Sequence, residues 1–208
     1  LQLLDTELSL DAEEAKKTIE RSLKRLQTDY IDLYQIHSIQ QLNDAKNLGG
    51  VYNVLKDYQR QGIIKHIGFT GHTSAKAMKY VAENYDLETM LIALNHQAQN
   101  QRFEERAMPA AAAKGMGVMC MKVIRPRESV EGLDPLDLIR YALSLEHVHV
   151  ADIAMDSKEV IDANIDVIKN FKKLSESKMQ ELHAKLEPFF NHHNVPWMQP
   201  GYVDGHFA

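Results

Sequence analysis

The stretch SLKRLQTDYIDLYQIHS, Ser22 to Ser38, decides the fold. Its first residues finish an amphipathic helix of about Ala12 to Leu26, with Ala15, Ile19, Leu23 and Leu26 on one face and Lys16, Glu20 and Lys24 on the other. Asp11 followed by Glu14 marks where that helix starts, because an aspartate there accepts from the exposed amides of the first turn. The period then drops from 3.6 to two. Ile31, Leu33, Gln35 and His37 fall on one side of an extended segment, and Asp32, Tyr34 and Ile36 on the other. A helix feeding a short strand that ends on a polar residue is the unit from which parallel α/β sheets are built.

The same unit recurs down the chain. Short runs rich in branched residues predict five strands, at about Tyr30 to His37, Lys65 to Thr70, Thr89 to Asn95, Gly117 to Val123 and Val148 to Ala154. Amphipathic segments fill the gaps, near Gly50 to Gln61, Ser74 to Asn84, Glu104 to Lys114 and Ser157 to Lys169. A further helix opens at Asp134-Pro135, with the aspartate as cap and the proline at the first helical position. The helix from Ser175 to Phe190 then leads into an irregular tail containing Trp197, Pro200, Gly201 and Tyr202. No low-complexity linker interrupts the repeats, so they belong to one body. The reading is an α/β chain: residues 1–174 as a partial parallel barrel, and 175–208 as a C-terminal helix and tail packed on it. A closed (β/α)8 barrel takes eight strands, and five cannot close alone.

Composition excludes several function classes. A net charge of −5 gives no basic field for a nucleic-acid backbone. The longest apolar stretches, such as Gly115 to Ile124, fall far short of the ~20 residues of a spanning helix. The single cysteine, Cys120, forms no internal disulfide, which fits a reducing, cytoplasmic setting. The sequence opens on Leu1 with neither an initiator methionine nor a signal pattern, so a start upstream of Leu1 is expected.

The opening stretch is similar to the catalytic-histidine strand of the aldo-keto reductase family. The resemblance continues through GIIKHIGFTGHTS (Gly62 to Ser74), FEERAMPAAAAKGMGVMCMKV (Phe103 to Val123), LIRYALSL (Leu138 to Leu145) and AMDSKEVIDAN (Ala154 to Asn164), in order and in spacing. It implies a TIM-type (β/α)8 barrel, here incomplete, with these five strands as the fourth to eighth. It also implies reduction of aldehydes or ketones with NADP, or with NAD, on a small-molecule carbonyl substrate.

The resemblance carries site residues with it. His37 takes the position of the histidine that orients the carbonyl, and barrel enzymes do build their sites from strand C-terminal ends. Thr70 and Gly71 stand where the family has serine and asparagine holding the nicotinamide carboxamide; glycine lacks the amide. Asn95 is a further polar candidate in that pocket. Met121 takes the place of a stacking aromatic ring, a soft apolar surface in its stead, and Lys122 follows at the mouth. Ser157 opens a helix whose N-terminus suits phosphate, and Asn164 matches the adenine contact. Val160 replaces the arginine that often grips a 2′-phosphate, with Lys158 as a substitute. Departures matter as much. No lysine occurs in Leu1 to Ala15 and no tyrosine precedes Tyr30, so the family's proton donor and its lysine and aspartate partners have no counterpart here.

Two other readings stay open. A nucleotide-binding relative without catalysis would need a partner chain, or self-association, to cover the open sheet edges. Alternatively, His37, His72 and His96, at or just past the ends of consecutive strands, would form a three-histidine metal site for hydrolysis, although no acidic ligands or HxH spacing support it.

Overall fold

A computed structural model of the chain describes residues 10–94, 103–126, 128–191 and 193–199. Five parallel strands run in sequence order across one sheet: β1 (Ile31–Ile36), β2 (Ile64–Gly71), β3 (Thr89–Ala93), β4 (Gly117–Met121) and β5 (Val148–Ala151). Helices connect them: α1 (Ala12–Leu26), α2 (Leu42–Lys46), α3 (Gly49–Arg60), α4 (Ala75–Asn84), α5 (Met108–Ala113), α6 (Pro135–Ser144), α7 (Lys158–Lys169) and α8 (Glu176–Leu186). The α/β barrel segment expected from the sequence is therefore present, with β1 and β5 as the edges of the described sheet.

Local chemistry sets most boundaries. The Asp11 carboxylate accepts from Glu13 N at 2.7 Å and Glu14 N at 3.0 Å, which starts α1 and holds that carboxyl below the usual range. Asp134, Ser157 and Ser175 cap α6, α7 and α8 in the same way. The helix expected over Glu104 to Lys114 is instead two pieces, a π-type turn at Phe103–Ala107 followed by α5. Pro109 has no N–H to donate back, so regular winding starts afresh beside it. Pro188 likewise ends the last helix early, as a 3-10 turn at Glu187–Phe189.

The helix-facing side of the sheet buries Tyr34, Ile36, Ile67, Phe69, Met90, Ile92, Val118 and Cys120 against α1 through α5. The opposite, inner side is layered by the register. Gln35 pairs with Gly68, and Gly68 with Thr89, so these three form one row across β1, β2 and β3. Gln35 Nε2 reaches Thr89 Oγ1 at 3.5 Å across β2. A Cβ on Gly68 would collide with Thr89 Oγ1 and come within 2.9 Å of Thr89 O, so this row closes only over a glycine. Gly68→Ala should therefore cost about 1–3 kcal/mol in a urea unfolding experiment. A variant as stable as the parent would mean that the inner row is loosely packed.

α8 docks on α6 through Leu138, Tyr141, Leu182 and Leu186. The buried Tyr141 hydroxyl lies 2.7 Å from His183 Nε2 and 3.4 Å from Glu104 Oε1. Burial pushes His183 below the ordinary histidine value, and pushes Glu104 and Tyr141 up. A lowered histidine pKa means that the unfolded chain binds more protons. Its contribution is thus complete above about pH 6.5 and is lost as pH falls from there through the lowered folded value. Urea midpoints measured across that range should fall with acid, and less so in His183→Gln.

Candidate active site at the C-terminal mouth of the sheet

Two rows of inner side chains lie beyond Gln35, Gly68 and Thr89. His37 follows Ile36, which pairs with Phe69, so His37 is in step with Thr70; Thr70 pairs with Leu91 and Leu91 with Met119. The outermost row holds His72, one residue past β2, with Ala93 and Met121, which pair directly. These rows lie at the strands' C-terminal ends, where parallel barrels place their chemistry.

The chain leaves β1 and β4 in the same unusual way. Ser38 and Lys122 both adopt the left-handed conformation, φ 58° and 60°, although neither is glycine. Such backbone costs on the order of 1–3 kcal/mol and persists where its surroundings enforce it. At Ser38 the enforcement is visible: its N–H donates to Thr70 Oγ1 at 2.8 Å, and Ile39 N–H donates to Thr70 O at 2.8 Å. Lys122 stands partly exposed at the rim.

The tail sits on this mouth. Val195 and Trp197 pack on Leu91, Ala93 and Met121, with Met119 and Phe190 beside them. Trp197, in a short turn at Pro196–Met198, is 2% exposed. Its ring lies 6.3 Å from that of His72, 5.3 Å from Arg125 Cζ and 5.9 Å from Lys122 Nζ. The tail is anchored by Asn194, whose Nδ2 donates to Phe189 O at 3.1 Å and to Glu128 Oε1 at 3.2 Å, holding that carboxyl below its usual range. Val195 and Trp197 thus lie on the inner face of the sheet.

The other expected residues are distributed as follows. Gly71 ends β2 and turns away from the mouth: a Cβ there would strike Met78 of α4 and approach Ile39 O to 2.8 Å. Alternation sends Gly71 to the helix side and leaves Thr70 facing in. Ser157 caps α7, accepting from Val160 N at 3.2 Å. Asn164, on the same helix, is 3% exposed, and its Nδ2 has no hydrogen-bond partner among the described residues. A buried amide of this kind fits a ligand that brings its own acceptor. Lys158 pairs with Asp162 on the helix surface, an exposed contact of small energy. Asn95 and His96 lie outside the described residues. Among those described, no three His, Cys, Asp or Glu side chains converge as metal ligands. Cys120 faces the helices, and burial, with Asp152 nearby, pushes its thiol up to about 12.

Arg125 is the residue that sequence reading missed. It is buried beside Trp197, in a segment where the sequence offers only a cation before Pro126.

The model of the Aldo/keto reductase family matches residues 6–126, more than half of the sequence. The chain belongs to the aldo-keto reductase family. Protein tas of Escherichia coli K12 is 33% identical over 46% of this chain and 33% of its own length; Protein tas of Shigella flexneri gives the same figures. The chain thus spans about a third of the curated relatives it matches. Among solved structures, the holo form of the aldo-keto reductase AKR11C1 from Bacillus halodurans superposes with a TM-score of 0.66. It shows 16% identity, over 85% of this chain and 68% of that one. An aldo-keto reductase from Pseudomonas aeruginosa superposes with a TM-score of 0.63 at 24% identity, over 76% and 57%. At such identities the likeness speaks for the fold, an incomplete (β/α)8 barrel.

Because the sequence holds one tryptophan, its fluorescence reports on the tail alone. The emission should be that of a shielded indole, poorly reached by acrylamide. Trp197→Ala should cost roughly 3 kcal/mol or more, or release the tail to proteolysis between Leu186 and Gln199. An emission typical of water-exposed indole would contradict the packing described.

Proposed function

We propose that this chain is the nicotinamide-binding part of an aldo-keto reductase that reduces aldehydes or ketones to alcohols, with NADP as its preferred cofactor and NAD as the alternative. The observation that carries the reading is the set of inner side chains at the strand ends. His37, Thr70 and Met121 share one face of the sheet at the ends of β1, β2 and β4, with a polar group where a carbonyl would be oriented and an apolar one where a flat ring would lie.

When bound, the cofactor supplies the hydride. The chain's own residues bind and orient. A His37 ring N–H would donate to the carbonyl oxygen and fix its direction. The Thr70 hydroxyl, whose oxygen already accepts from Ser38, has its hydrogen left to donate. Asn164 would offer its amide, unpartnered among the described residues, to the adenine end, and the N-terminal amides of α7 behind Ser157 would hold the phosphates. Lys122 at the mouth and Lys158 on α7 are the cations that the family resemblance offers for those roles. A proton must still reach the new alkoxide. No tyrosine precedes Tyr30 and no lysine precedes Lys16, so the family's tyrosine donor and its lysine have no counterpart in this sequence.

The covered Met121 favours a second reading, a relative that binds a nucleotide without reducing a substrate. In either case the rim of β5 and α7, where Val150, Ile165, Ile168 and Phe171 are exposed, is where a partner chain or a second copy would pack. No helix among the described residues is long and apolar enough to cross a membrane, and a cytoplasmic location is part of the proposal.

Titration with NADPH, followed through Trp197 emission, tests the assignment. Saturable quenching, tighter for NADPH than for NADH, is the expected result, and oxidation of the bound cofactor on adding an aldehyde or ketone would identify a reductase. Binding without turnover on any carbonyl would favour the second reading. Absence of binding by both nucleotides would overturn both.

A further inference from the structure

We propose that Thr70 is a positioning residue for His37, and that a ligand accepting from its hydroxyl tightens the setting of that histidine. The chain reverses at Ser38, where φ is 58°. A left-handed serine is unfavourable by itself, so something must hold it. Thr70 holds it twice, through Oγ1 to Ser38 N and through its carbonyl to Ile39 N, both at 2.8 Å. All three residues are buried, so water does not replace either bond. The carbonyl contact exists whatever side chain stands at position 70. The hydroxyl contact is specific to threonine or serine, and without it the Ser38 N–H is buried with no acceptor.

His37 is the residue immediately before this reversal. Its backbone direction is therefore fixed on one side by β1 and on the other by the Thr70 clamp. The clamp also has a free end. The Thr70 oxygen accepts from Ser38, while no acceptor among the described residues takes the hydroxyl hydrogen. A hydroxyl that begins to donate becomes a better acceptor, so a ligand oxygen at Thr70 strengthens its hold on Ser38. Occupancy of the mouth is thereby coupled to the orientation of His37 without either residue moving far. This ligand arm rests on the cofactor reading above; the clamp itself does not.

Hydrogen exchange and histidine NMR on the purified chain test it without any turnover. In the parent, the Ser38 amide should be among the protected amides; exchange as fast as in an exposed loop would overturn the clamp at once, with no variant needed. In Thr70→Val that amide should exchange at least about tenfold faster, from the loss of one buried hydrogen bond. The His37 imidazole resonances should shift, while those of His149 stay in place. Thr70→Ser should restore the parent behaviour on both counts, which a merely space-filling role would not do. A folded Thr70→Val with unchanged His37 resonances would overturn the proposal. NADP+ added to the parent should slow Ser38 exchange further, and should not do so in Thr70→Val. If NADP+ binds the parent and leaves Ser38 exchange unchanged, the coupling is wrong. If NADP+ fails to bind the parent, the cofactor reading fails, and the clamp stands or falls on the ligand-free measurements.

Discussion

A parallel sheet has two faces to keep from water, and in this chain they are covered by different means. Helices from the βα repeats cover one face with a continuous layer of aliphatic and aromatic side chains. Towards the strands' C-terminal ends, the inner face of the described sheet is filled differently. Its lower row is closed by the contact of Gln35 with Thr89 over Gly68, and its upper rows by Val195 and Trp197 from the tail. The site, its neighbours and the position of the tail all follow from how that inner face is filled.

The chemistry of the mouth is set by what stands on that face. His37, Thr70 and His72 bring polar groups to it, whereas Leu91, Ala93, Met119 and Met121 bring an apolar floor. Trp197 lies on that floor between His72 and the cations Lys122 and Arg125. A nicotinamide ring on Met121 and the Trp197 indole would claim the same surface.

Much of this was legible in the sequence. The first helix could be bounded at Ala12–Leu26 because Asp11 caps it and its apolar stripe runs unbroken. The strands could be placed because period-two alternation and branched residues mark them, and the end of β1 made His37 a candidate. What escaped did so for physical reasons. The turn at Phe103–Ala107 and the short helix at Leu42–Lys46 are decided by single residues, Pro109 and Asp44, rather than by a period. The seat of Trp197 depends on contacts far along the chain, which no local pattern encodes. Arg125 was missed for a similar reason, since its burial beside an indole leaves no trace in the residues that flank it.

The account reduces to the statement that a nicotinamide cofactor meets this chain on the inner face, above Met121. Methyl NMR of methionine-labelled protein, titrated with NADPH, examines that surface directly. The account predicts saturable shifts at Met121 and smaller ones at Met119, with Met78 in the helix layer and Met179 on α8 unmoved. Bound NADPH that leaves the Met121 methyl where it was would contradict it.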